Sequence, residues 1–361
     1  MGVEEQKLTQ EIYSQVSEEF SLEKLPQASG SIGVECITLE EADGGRGLKG
    51  VFVAKRLLHG QEQSATFETG SFLDQSAADN TIEKHDVCIS TAGGCTRGCT
   101  FCSVPIADLG FERLLTPEEI VFQAAYMIAL RNPASNLPNV VGLMGNGEPA
   151  DNKAIIPAVD VLASRDDIKS ITVSSIGENI KGIHKLQELA VRLDKPVKLQ
   201  LSLHAADPSK RRTLIPGRTS VESVVKAADG YAEATGLAVK FNVVLMEVIE
   251  KPELDGFTNA SIEDARKLAA LLLAPSYASG KQITRRLKLS AYNNVPGTPY
   301  SSPSEEIRQE FVETLRAEGI EEIKTFRGSG INIDQKQGLG GFACGQLRAT
   351  TSMALKNHEK K

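Results

Sequence analysis

From about Cys88 onward the chain repeats one pattern: a short β-favouring apolar run, a loop carrying Gly or Asn, then an amphipathic stretch with helical spacing. The runs are "DVCIS" (86–90), "NVVGLM" (139–144), "SITVSS" (170–175), "VKLQLSL" (197–203), "VKFNVVLM" (239–246) and "RLKLSAY" (286–292), with "EEIKTF" (321–326) a weaker addition. The stretches between them carry helix signals. In "TPEEIVFQAAYMIAL" Thr116 reads as the N-cap, Pro117 as the first helical residue and Glu119 as the partner that closes a capping box. Ile120, Ala124, Met127 and Ile128 then recur on one face. Ile262, Ala265, Leu268, Ala269 and Leu272 make a second such stripe in "SIEDARKLAALLLA". Strands that alternate with helices and are mostly apolar on both faces predict a parallel sheet covered by helices. Six units are too few for a closed eight-stranded barrel, so the expectation is an α/β fold with a partial (β/α)6 barrel.

The first 85 residues read differently, as one short helix (about Leu8 to Phe20) followed by β-rich runs near "GVECITL", "GVFVAKRLL" and "SATFET". The expected organisation is a small N-terminal α+β subdomain over 1–85, the barrel over 86–330 and a C-terminal segment over 331–361. In a parallel α/β fold, chemistry gathers at the carboxyl ends of the strands. Cys95, Cys99 and Cys102 follow the first run, "GNGEP" the second, "SSIG" ends the third, "SLHAAD" the fourth and "YNNVPGTPY" the sixth. These segments should ring one mouth.

Composition narrows the chemistry. With 47 acidic against 40 basic side chains the net charge is −7, the wrong sign for holding nucleic acid by bulk charge. Any such contact must be local. The acidic, polar start has no apolar leader and no run of eighteen apolar residues occurs, which predicts a cytoplasmic protein with no membrane partner. In that reducing compartment clustered cysteines bind metal or do chemistry more often than they staple a fold.

"GGCTRGCTFCSVP" holds three of the six cysteines. A structural zinc site wants four ligands, usually in two separated pairs, and no second CxxC or HxxxH exists. Three thiolates on a [4Fe–4S] cube leave one iron open to a non-protein ligand. The CxxxCxxC spacing, with Phe101 just before the last Cys, resembles the signature of the radical S-adenosylmethionine (SAM) superfamily. That resemblance implies that the open iron takes the amino and carboxylate groups of SAM, and that an electron from the cluster splits SAM to a 5′-deoxyadenosyl radical. Gly147 and Glu148 of "GNGEP" suit the SAM ammonium, the glycine for close backbone approach and the glutamate for charge. Ser174, Ser202, Leu203 and Asn293 stand at other strand ends as candidates for its carboxylate and ribose. His204 joins them by its ring or only by its backbone. Each is also read as a satisfied turn residue.

The set "CISTAGGCTRGCTFC", "GNGEPADN", "TVSSIG", "LSLHA", "AYNNVPGTPY" and "ACGQL" is similar to the RlmN/Cfr family of radical SAM RNA adenine methyltransferases. It spans roughly Glu68 to Leu347. The resemblance implies that Cys344 is methylated by a first SAM, and that a radical from a second SAM takes a hydrogen from the S-methyl group. The carbon radical then adds to adenine (C2 favoured) in rRNA or tRNA. Cys88 would release the product through a transient Cys88–Cys344 disulfide, and Glu68, in "FET", would accept the proton. A buried strand cysteine is the lesser alternative for Cys88, and Cys36 is assigned to that role. The implied partners are structured RNA and a reductant such as flavodoxin or ferredoxin, acting on a monomer.

Two departures stand out. The leader is shorter and more acidic than the RNA-docking accessory domain usual in the family, and "QKQGLGGF" is inserted before "ACGQL". Basic clusters at Lys210, Arg211, Arg212 and Arg218, and at Arg285, Arg286 and Lys288, are candidate phosphate contacts or a solvated face. Two alternatives stay open. One is a radical SAM enzyme of another reaction type, which would have no use for Cys88 and Cys344. The other is a non-enzymatic iron–sulfur or zinc protein, which would need no "GNGEP".

Overall fold

A computed structural model describes residues 33–42, 45–75, 81–106, 110–131, 137–248, 256–295 and 297–326. The helix expected near Leu8–Phe20 and the segment carrying Cys344 lie outside the described residues. Ten strands form one sheet in chain order. They are β1 Gly33–Ala42, β2 Gly47–Leu58, β3 Gln61–Gln75, β4 Ile82–Ile89, β5 Asn139–Leu143, β6 Ile168–Ser175, β7 Val197–Ser202, β8 Lys240–Leu245, β9 Arg286–Ala291 and β10 Ile323–Phe326. The pairings β1–β2, β2–β3 and β3–β4 are antiparallel. From β4 to β10 every pairing is parallel.

Between the parallel strands run α1 Pro117–Arg131, α2 Ile155–Ala163, α3 Ile180–Ala190, α4 Pro208–Leu214, α5 Val221–Thr235, α6 Ile262–Leu273 and α7 Glu305–Ala317. Each of β4 to β9 is thus followed by at least one helix, and β10 ends the series. Six β/α units are present, and the weak run "EEIKTF" is a seventh parallel strand. Among the described residues no pairing closes β10 back onto β4, so the barrel is partial. The three N-terminal runs are antiparallel strands hydrogen-bonded onto β4, and their Phe52 and Phe67 share one apolar core with Val87, Phe122 and Tyr126.

The apolar alternation builds a one-sided sheet rather than the two-sided one expected. In β7 to β9, Val197, Leu199, Leu201, Phe241, Val243, Leu245, Leu287 and Leu289 are buried in the core that the helices share. Lys198, Gln200, Ser202, Lys240, Asn242, Arg286, Lys288 and Ser290 point to the opposite, concave face. A lumen that admits a polar ligand has no need of an apolar lining.

Helix α1 begins as its cap predicts. The Thr116 N–H donates to Glu119 at 2.9 Å and the Glu119 N–H donates to Thr116 Oγ1 at 3.3 Å. A partner the sequence did not reveal completes it: Arg113 donates through both terminal nitrogens to the Glu119 carboxylate at 2.7 Å each, with the arginine side chain 7% and the glutamate 0% exposed. On α6 the stripe packs from Ala265 to Leu272, while Ile262 is 38% exposed. Ile262 directly follows the Ser261 N-cap, whose box partner is Asp264, and this first turn lies beyond the packed stripe.

Candidate active site

The cysteine loop leaves β4 and is clasped from several elements. A two-residue ribbon, Ala92–Gly93 paired with Arg113–Leu114, fixes its start. Within it the Arg97 N–H donates to Cys95 Sγ at 3.4 Å and the Cys102 N–H to the Cys99 carbonyl at 3.1 Å. Arg97 also makes a bidentate ion pair with Asp151 at 2.8 and 2.6 Å, tying the loop to the turn after "GNGEP". Tyr292 donates to the Phe101 carbonyl at 2.8 Å, and Tyr300 meets the Thr100 hydroxyl at 2.8 Å. Burial, followed by the neighbouring Cys102 and Cys95 thiols, pushes the Cys99 thiol far up, and burial raises Cys95. The three thiols therefore sense one another electrostatically. Among the described residues no three His, Cys, Asp or Glu side chains converge to hold a single metal ion. Three thiols on one short loop, with no fourth ligand beside them in the sequence motif, suit a cluster held at three of its corners.

Beside this loop, Gly147 lies at φ +94°, and a Cβ there would sit 2.7 Å from Thr91 Oγ1 and 2.8 Å from Ala92 Cβ, so glycine is required. Glu148 is 5% exposed. Its carboxylate accepts from the Ala150 N–H at 3.1 Å and the Ile176 N–H at 3.0 Å, joining the end of β5 to the end of β6. Burial pushes its pKa up against those donors. Two carboxylate oxygens offer about four acceptor directions, which leaves room for an ammonium. Ser174 accepts from Gln200 at 2.9 Å. Ser202 is half-buried on the concave face and Asn293 is exposed. The Leu203 side chain is fully buried in the core, its N–H donates to Asn242 at 3.0 Å and its carbonyl accepts from Arg211 at 2.7 Å.

His204 sits at φ +59°, its Nδ1 accepts from the Val244 N–H at 3.2 Å, and its ring packs edge-on against Phe101 with centroids 4.6 Å apart. The ring is a brace between β7 and the cysteine loop, not a titrating group. Burial first and Arg211 second bring its pKa down to about 3. An unfolded histidine titrates near 6.5, so between that value and about 3 the unfolded chain binds the extra proton and stability falls with falling pH. The expected outcome for His204→Asn, which tolerates positive φ, is a shallower loss of melting temperature across that acid window. The pH slope, not the absolute melting temperature, is the readout.

The Radical SAM superfamily profile matches residues 89–257. A probable dual-specificity RNA methyltransferase RlmN from Caldicellulosiruptor saccharolyticus is 33% identical over 298 residues, covering 78% of this chain and 76% of that protein. The chain belongs to the RlmN family of radical SAM methyltransferases. A ribosomal RNA large subunit methyltransferase N from Nitrosopumilus maritimus is also 33% identical, over 275 residues, covering 73% and 67% of the two chains. A crystal structure of a radical SAM methyltransferase from Sphaerobacter thermophilus superposes with a TM-score of 0.66 at 29% identity, covering 88% of this chain and 81% of that one. RlmN-family membership brings a [4Fe–4S] cluster and SAM as cofactors, and the three thiols with the Glu148 turn are the candidate residues to hold them.

The remaining RlmN-family candidates fall on the sheet. Cys88 is half-buried on β4, its register partners being Gly70 on β3 and Gly142 on β5. Lys49 on β2 pairs with Gly70 in turn, so Lys49, Gly70, Cys88 and Gly142 form one row across four strands. Glu68, two residues from Gly70 and hence on the same face, is 2% exposed and ion-paired with Lys49 at 2.9 Å. Cys36 is buried, as expected. Cys344 lies outside the described residues. The candidate phosphate contacts need correction. Arg211 is buried and donates to the carbonyls of Ser202, Leu203 and Ile176. Lys210 pairs with Asp264 at 2.6 Å, and Arg285, 1% exposed, pairs with Asp229 at 2.7 Å. Arg212, Arg218 and Arg286 remain exposed. Sequence reading missed Arg97, Arg113 and Asp151. Only "TRG" between the first two cysteines offered a local hint of Arg97.

Proposed function

We propose that this chain methylates a ring carbon of adenine, C2 favoured, in rRNA or tRNA. Two relatives carry RNA methyltransferase names. The single observation that supports the fuller reaction is the position of Cys88, a cysteine outside the cluster set on the concave face of the strand from which the cysteine loop departs. When bound, the cluster and SAM supply the one-electron chemistry that starts the reaction. Cys344 carries the methyl group to be transferred and becomes joined to the base through that carbon. Glu68 accepts the proton lost from the ring carbon. Cys88, as thiolate, attacks the Cys344 sulfur, a disulfide forms, and the carbon–sulfur bond to the product breaks with its electron pair passing to the carbon, which takes up a proton to become the methyl group. The Glu148 turn orients SAM, and the His204 brace keeps the loop aligned with β7. The setting is a cytosolic monomer reduced by a flavodoxin or ferredoxin, and no helix among the described residues is long and apolar enough to cross a membrane.

The test is anaerobic reconstitution with methyl-labelled SAM followed by peptide mass mapping. A labelled methyl on Cys344 is expected. Formation of 5′-deoxyadenosine with no methyl on Cys344 would favour a radical SAM enzyme of another reaction type.

A further inference from the structure

A chain of net charge −7 concentrates lysines on the concave face of its sheet. Register places Lys240 beside Gln200 and Arg286, Lys288 beside Asn242 and Lys324, and Lys198 beside Thr172. Each alternates along its strand with residues facing the helix layer, so these side chains rise from the opposite side. Lys84, on β4, is held there by Asp74 and Asp86. Among the described residues Lys198, Lys240 and Lys324 have no carboxylate partner.

The lysines act on one another. Burial first, then Lys288, Lys324, Lys198 and Lys84, bring the Lys240 ammonium down to about 8. Burial, followed by Lys169, Lys84 and Arg286, lowers Lys198 as well. Four strand spacings separate β4 from β8 along the sheet, about 19 Å if it were flat. The sheet is a partial barrel, so it curls, and side chains on the inner face of its strands line one trough.

Three such lysines, Lys198, Lys240 and Lys324, with no carboxylate partner among the described residues cost stability, and an anion between them removes that cost. Several cations spread over β7 to β10 suit a polyanion rather than a single phosphate. Lys240 and Arg286 open their strands, whereas the cysteine loop, the Glu148 turn and His204 stand at the carboxyl ends, around the mouth. The lysines lie a strand's length, about 20 Å, from that mouth. We infer that this lysine trough binds the phosphodiester backbone of the RNA flanking the nucleotide under modification, a proposal that rests on RNA being the substrate.

The test is titration of holoenzyme with labelled bulk tRNA across a salt series. K198Q/K240Q/K324Q is expected to reduce the slope of log affinity against log salt by about two and to weaken binding about tenfold or more at low salt. K198R/K240R/K324R should bind as the wild type does. Because neutralisation removes repulsion, the glutamine variant should melt at or above the wild-type temperature. An unchanged salt slope overturns the trough while leaving the RNA reading intact, as does a glutamine variant that melts well below both other proteins. Wild-type holoenzyme that binds no tRNA at any salt overturns the RNA reading itself, and the trough with it.

Discussion

Cys88→Ala is expected to stop turnover and to leave RNA covalently attached to the protein. In the proposed reaction, the carbon–sulfur bond joining the base to Cys344 has no other described thiol outside the cluster set and Cys36 to break it, and Cys36 is buried in the helix-side core. Cys88 stands instead on the concave face between two glycines, so its neighbours in the row contribute no side chain at its own level. A Cβ on Gly70 would meet the Phe72 ring at 2.7 Å and one on Gly142 would meet Met144 Cε at 2.5 Å. Phe72 and Met144 thus lie across the glycines and flank the thiol with apolar groups. Loss of a nucleophile that acts as a unit with its partners lowers multiple turnover by on the order of 10³-fold or more. Denaturing gel electrophoresis with labelled RNA should show a protein-linked band absent from wild type. A purely packing cysteine would show only a loss of about 1 kcal/mol in stability, and normal turnover would remove Cys88 from the reaction.

Arg113→Met should produce the largest loss of stability, about 3–5 kcal/mol, because it strands a buried carboxylate. Glu119 is 0% exposed, and besides Arg113 it accepts from the Thr116 N–H as the capping-box partner. Arg113 also donates to the Ala54 carbonyl at 3.1 Å and so ties β2 to the start of α1. The double variant R113M/E119Q removes the stranded charge and should recover part of the loss. Chemical denaturation midpoints for the two single variants and the double variant measure the coupling. A single-variant loss under about 1 kcal/mol would mean that water reaches Glu119.

What the sequence made legible was local. The capping box at Thr116 and Glu119 involves residues three apart, and the helix stripes and cysteine spacing are equally short-range. Glu148 was found because it sits in a motif, yet its tie to the Ile176 N–H spans the ends of two strands. Charge was the least legible property. Arg211 and Arg285 look like surface basic clusters, but each is internal, one bound to carbonyls and the other to Asp229. The lysines that do share a surface are spread singly over different strands, and no linear window gathers them. The polar concave face was missed for a related reason. Lys198 and Gln200 alternate with Val197, Leu199 and Leu201, a period-two signal that a search for apolar runs passes over.

The sheet keeps its strands in the order of the chain, and this bears on how the molecule is made. Each of β2 to β10 pairs with the strand synthesised just before it, so every new strand meets a template already in place. Long-range loop closure, the slow step in many parallel sheets, is reduced to one β/α unit at a time. Domains grow from the N-terminus at the ribosome. The antiparallel strands β1 to β3 therefore supply the first edge, and at each stage of synthesis the growing side exposes only the newest strand to unwanted pairing.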